Sequence, residues 1–185
     1  MLISQLVANA LIAASIYALV GSGFSLIYSS TRFFHFAHGI VFTAGAYFAF
    51  LFTRWLGMPL WISIFLGVVA SLVLGCLMEL FVYRPFRGRG SSGLVLLLAS
   101  LGMYILLQNV VSMAFGDETR SIRTGAVQEG INILGARITP IQIVTVIVSI
   151  SLVAGLWVFL RITRIGKAMR AVANDPQLAN VSGIH

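Results

Sequence analysis

Five long apolar stretches separated by short polar breaks set the organisation of this chain. They run from about Leu2 to Tyr28, Phe33 to Phe52, Leu60 to Tyr83, Leu94 to Phe115 and Pro140 to Leu160. Each is close to the roughly 20 apolar residues that a helix needs to cross a bilayer. The runs are continuous rather than alternating. They therefore predict helices, which satisfy their own backbone in lipid, and not the strands of an outer-membrane barrel. The expected fold is all-α and polytopic, with about five transmembrane helices. In the loop from Gly116 to Thr139, the run INILG with Gly125, Gly130 and Gly135 suggests a small hairpin.

Composition narrows the class. Hydrophobic residues make up 59% of the chain and charged residues 9%, against about 25% charged in a soluble domain. The net charge of +7 does not point to nucleic acid, because the cations sit beside the apolar runs. Arg84, Arg87 and Arg89 follow the third. Arg161, Arg164, Lys167 and Arg170 follow the fifth. Neither group contains an acid. Basic loops of this kind stay on the cytoplasmic side. The loop between them balances Arg120, Arg123 and Arg137 against Asp117, Glu118 and Glu129, and should face outside. Counting back places the N-terminus outside. That terminus lacks a basic leader region and reads as a retained span. Cys76, the one cysteine, lies within an apolar run.

Small residues at four-residue spacing line two runs: Ala10, Ala14, Ala18 and Ser22 in the first, and Gly67, Ser71 and Gly75 in the third. They predict close helix packing. Glu79 continues the second series, within reach of the basic loop, where an ion pair or hydrogen bond is expected, with a role in gating or docking, or snorkelling to the interface, as the alternatives. Uncharged polar residues recur on other faces. Ser100, Tyr104, Gln108 and Ser112 follow one another in the fourth run, with Asn109 beside them. Gln142, Thr145 and Ser149 recur in the fifth, and Gln5 and Asn9 in the first. Such side chains either join helices or line a wet path for a polar, net-neutral solute. His35 and His38 are two ligands at most, too few for a closed metal site. They predict instead a bent start to the second span, with both rings bonded to nearby backbone.

The tail ends in NDPQLANVSGIH. Asp175 suits an N-cap, Pro176 the first helical position and Gly183 the end of the helix. Residues 175 to 183 therefore predict a separate two-turn helix. A helix this short is marginal alone and needs a surface. It carries no Lys or Arg, which disfavours lipid as that surface.

The chain resembles the permeases of branched-chain amino acid ABC importers of the LivH/LivM type. The resemblance rests on HFAHGIVFTAGAYFAF (35–50), YRPFR (83–87), SLGMYILLQN (100–109), the FG pair at 115–116, ITPIQI (138–143) and GKAMRAVANDPQLANVSGI (166–184), all in the family's order. It implies one importer transmembrane domain over residues 1–185, in the bacterial inner membrane. Asp175, Pro176, Gln177, Leu178, Ala179 and Gly183 would form the cytoplasmic coupling helix that fits a groove on an ATPase. The implied partners are a second permease subunit in a heterodimer, two cytoplasmic ATPase subunits and a periplasmic solute-binding protein. The resemblance implies no enzyme and no cofactor, and no G-x-x-x-x-G-K-[ST] motif is present. Branched-chain amino acids are the implied solutes, with urea or short amides as the alternative. A non-transporting scaffold or a truncated remnant is the rival from another class. His35 stands where the family usually has Asn, and Gln177 where it commonly has an acid. The family continues through further spans, so the sequence is expected to be incomplete.

The charge distribution generates a direct test of topology. In a Cys76→Ala background, Gln128→Cys should react with an impermeant thiol reagent from outside, and Ser91→Cys only after permeabilisation. Labelling of both from one side would refute this orientation.

Overall fold

The computed structural model describes residues 2–118, 120–122, 130–133 and 135–183. Arg123, Gly125 and Glu129, singled out above, lie outside them. The helices are α1 (Leu2–Thr31), α2 (Ala37–Arg54), α3 (Leu60–Met78), α4 (Arg84–Gly88), α5 (Gly93–Phe115), α6 (Pro140–Ile162), α7 (Arg164–Asn174) and α8 (Pro176–Val181). A π-helical turn, Glu79–Tyr83, joins α3 to α4. The strands β1 (Ile131–Ile133) and β2 (Ala136–Ile138) form an antiparallel hairpin, with Ile131 opposite Ile138. Gly135 takes φ +80° at its turn.

The fold is all-α and polytopic. Among the described residues, four helical stretches are long and apolar enough to cross a membrane: Leu2–Thr31, Leu60–Gly88, Gly93–Phe115 and Pro140–Ile162. The remaining expected span is the 18-residue α2, which carries His38 near one end and Arg54 at the other. The largest differences from the boundaries expected of the sequence lie in three places. α1 runs on to Thr31, because the hydroxyls of Ser29, Ser30 and Thr31 donate back to carbonyls one turn earlier. α2 starts at Ala37 rather than Phe33, because Phe33 is drawn into a buried cluster outside the helix. The third span continues through the π turn into α4, where the Arg87 guanidinium pairs with Glu79. The ion pair expected between Glu79 and the basic loop is therefore present, with Arg87 as the partner.

Tertiary contacts fall into two compact units. One contains α2, α3, the π turn, α4 and α5. Its tightest contact is between α2 and α3. Gly67 is buried there. A methyl group on it would lie 2.9 Å from the Gly45 carbonyl oxygen and 3.2 Å from the Ala49 Cβ. A methyl on Gly45 would lie 2.6 Å from the Ser71 hydroxyl. Gly67 and Ser71 thus pack as their spacing implied. Gly75 does not, since nothing lies within 4 Å of its missing side chain. At one end of this unit, Phe33, Ala37, Ile40, Met78, Tyr83 and Leu96 form the buried core. At another, Phe115 meets the rings of Tyr47, Phe50 and Trp55 at centroid distances of 4.8, 6.1 and 5.9 Å. Gly116, at φ +78°, ends α5 beside them.

The other unit contains α1, the hairpin, α6, α7 and α8. α1 packs along α6. Gln5 clamps the hairpin: its amide nitrogen donates to the Arg137 carbonyl at 3.1 Å, and its amide oxygen accepts from the Arg137 N–H at 2.8 Å. One side chain therefore satisfies both backbone groups of an edge residue.

Gly67 generates a prediction. Gly67→Val should destabilise the chain by about 1–3 kcal/mol, because the obstacle is backbone and cannot turn aside. Gly75→Ala should be neutral. Thermal unfolding in detergent compares them, and equal midpoints would reject the α2–α3 contact.

Candidate functional site

Two sets of residues are expected to carry function: a polar lining and a terminal helix. The structure gives most of the polar residues local duties. Ser100 is fully buried, and its Oγ accepts from the Ala37 N–H at 3.0 Å. That amide is the first of α2 and has no partner within its own helix. The Ser112 hydroxyl donates to the Asp117 carboxylate. Asn109 donates to the Ile105 carbonyl at 2.7 Å. Gln142 accepts from the Thr139 N–H at 2.8 Å and so closes the start of α6. Thr145 donates to the Ile141 carbonyl at 2.8 Å. Ser149 is buried on α6, in a patch it shares with Ser15 and Ala18 of α1.

Tyr104 and Gln108 remain. Both are exposed on α5, and neither forms a hydrogen bond among the described residues. A four-residue step turns a side chain by about 40° around a helix. The row from Ser100 to Ser112 therefore winds around the helix, from buried Ser100 through exposed Tyr104 and Gln108 to half-buried Ser112. It is not a single stripe.

His35 does not behave as expected. It precedes α2, and its ring clusters with those of Phe33 and Tyr83, at 5.8 and 4.7 Å, while Phe33 and Tyr83 are themselves 5.6 Å apart. Its Nδ1 is buried without a hydrogen-bond partner, so that nitrogen makes no bond to nearby backbone. The bend itself is present. The His38 N–H donates to the His35 carbonyl at 3.1 Å, and the Gly39 N–H to the Phe36 carbonyl at 3.2 Å.

An apolar crevice of about 480 Å³ lies between α1, β2 and α6. Val7, Leu11, Ile138, Val146 and Ile147 line it, with Ser4 and Gln142 also on its walls.

The tail is built in two steps. α6 ends at Ile162, and Thr163 adopts extended backbone. Its hydroxyl accepts from the Gly166 N–H at 3.0 Å and starts α7. Gly166 is obligatory at this turn, because a methyl there would lie 2.5 Å from the Leu160 Cα and carbonyl oxygen. α7 goes beyond the sequence reading, which gives its segment only as a basic stretch. The signal that marks it is the recurrence of Ile165, Ala168, Met169 and Val172 at helical spacing.

α8 follows as the composition implied. The Asp175 carboxylate accepts from the N–H groups of Gln177 and Leu178 at 2.9 and 3.1 Å. Gly183, at φ +78°, follows α8, and its N–H donates to the Asn180 carbonyl at 3.0 Å. α8 packs on α7, and Ala179 is buried. The side chains turned outward are Gln177, Leu178, Asn180 and Val181. Leu178 is 66% exposed and Val181 88%. A short capped helix thus presents two bare apolar residues, one turn apart.

Residues 6–185 match the family described as the permease component of branched-chain amino acid transport systems. The chain belongs to that family. Relatives include the high-affinity branched-chain amino acid transport system permease proteins LivH of Salmonella typhimurium and of Escherichia coli K12. Each is 32% identical over 96% of this chain and 61% of its own length. BraD of Pseudomonas aeruginosa, a protein of the same description, is 31% identical over 98% of this chain and 62% of its own. The chain therefore spans about three fifths of the length of the relatives it matches. No solved structure matches it. The permease family and the apolar helices make it a multi-pass protein of the inner membrane.

Proposed function

We propose that this chain is a membrane subunit of an ATP-driven importer of branched-chain amino acids. Its partners in this reading are a second permease subunit, two cytoplasmic ATPases and a solute-binding protein outside the membrane. ATP hydrolysis resides in the ATPases. The basic segments after the third and fifth runs face the cytoplasm, and the hairpin faces outside.

The observation that carries the reading is α8. It is capped at both ends and braced on α7, so its geometry does not depend on a partner. It nevertheless leaves Leu178 and Val181 uncovered. Such a helix suits a mechanical contact, where motion of an ATPase groove must reach α6 through α7 without loss in a soft joint. Asp175, Pro176 and Gly183 fix the ends, Ala179 fixes the brace, and Gln177, Leu178 and Val181 meet the ATPase. The names of the relatives favour branched-chain amino acids as solutes.

Within the spans, Tyr104 and Gln108 are the best candidates for the path. Both are polar, exposed and free of structural hydrogen bonds. Ser100, Ser112, Gln142, Thr145 and Ser149 serve mainly to hold the walls.

Two measurements test this reading. Leu178→Asp should place an unpaired charge in the ATPase contact, where burial costs several kcal/mol. Recovery of the cognate ATPase with the permease should fall at least tenfold, while the exposed Asn180→Ala changes it little. Full recovery with Leu178→Asp would rule out α8 as the coupling element. Separately, Gln108→Leu in the transport-competent complex should cut amino-acid uptake severalfold without loss of assembly. Uptake and assembly declining together would return Gln108 to a packing role.

A further inference from the structure

We infer that α7 and the end of α6 form a binding surface for anionic phospholipid headgroups. The surface is made by Arg161, Arg164, Lys167 and Arg170. The three on α7 recur every third residue, which confines them to an arc of about 120° on the helix. All four are exposed. None forms an ion pair among the described residues, and the 161–174 segment contains no acid.

The fold holds these cations together rather than letting them separate. The close approach of Gly166 to Leu160 sets α7 hard against the end of α6. Arg170 then reaches back, its Nη2 lying 3.4 Å from the Arg161 carbonyl oxygen. Concentrated like charge destabilises a folded chain unless an anion relieves it.

The position identifies the anion. α6 has 23 residues and is roughly 35 Å long at 1.5 Å per residue, enough to cross a hydrocarbon core of about 30 Å. Its last turn therefore lies at the headgroup level. The Arg161 guanidinium sits 4.9 Å from the Trp157 ring centroid, and tryptophan with arginine is the usual pairing of residues at that depth. Ile162 and Ile165, 70% and 64% exposed, flank the cations with bare apolar surface. A face that combines exposed isoleucines with unpaired cations suits the boundary between acyl chains and phosphates.

Trp157 reports on this surface directly. In the full chain with Trp55→Phe and Trp61→Phe, it is the one tryptophan left. The protein is reconstituted in vesicles of phosphatidylcholine and phosphatidylglycerol, with bromine on one lipid or the other. Each basic residue at such a surface contributes a preference of roughly fivefold. Brominated phosphatidylglycerol should therefore quench Trp157 with an apparent affinity at least fivefold above that of brominated phosphatidylcholine. The ratio should fall toward one in R164Q/K167Q/R170Q and in high salt. It should persist in R164K/R170K, which keeps the charge. If the triple variant does not insert, K167Q alone should still lower the ratio. Equal quenching by the two lipids in the starting chain overturns the proposal, as does a ratio unchanged by the glutamine substitutions. Glutamine variants that keep the lipid ratio but lose the ATPase would assign the face to the ATPase instead.

Discussion

A backbone N–H without a partner costs roughly 1–3 kcal/mol in a protein interior and more in hydrocarbon, and every break between helices exposes several. This chain meets several of its breaks with side chains. Ser100, on a different helix, accepts from the first amide of α2. Gln142 reaches back over the start of α6. Thr163 and Asp175 cap α7 and α8. The hairpin edge is closed by Gln5. These contacts fix how α2, α6, α7 and α8 begin and how the hairpin is held.

That use of polar residues limits what remains for function. A serine or glutamine on an apolar helix looks like pore lining when only its spacing is known. Most of those here are committed to backbone groups, and the helices pack through glycine and small residues. At Gly67 the α2 and α3 backbones approach too closely for even a methyl group. What is left uncommitted is small: Tyr104 and Gln108 on α5, and the outward face of α8. A rigid frame with few free polar groups accords with a permease component whose family acts within a larger transport system.

The tail shows how rigidity and exposure combine. α7 and α8 are joined by capped turns with little slack, so α8 is held in place before any partner binds. Its buried face, through Ala179, supports it, and its outer face, through Leu178 and Val181, remains open. Substitution at Ala179 would strike the brace rather than the contact, and only the burial of that residue reveals the difference.

Much of this was legible in the sequence. Four of the five expected spans follow from apolar length, the hairpin from INILG and its glycines, and α8 from Asp175, Pro176 and Gly183. These features are local: hydrophobic run length, turn chemistry and capping depend on residues close along the chain. The family, too, was carried by ordered motifs. Tertiary structure alone decided that Ser100 serves α2, that His35 stacks on Phe33 and touches Tyr83, that Gly67 is a contact and Gly75 is not, and that Ala179 faces inward. It also turned a basic stretch into the amphipathic α7. Residue spacing defines a face on a helix, but which face meets a neighbour depends on groups up to 132 residues away, and no periodicity in a single segment encodes them.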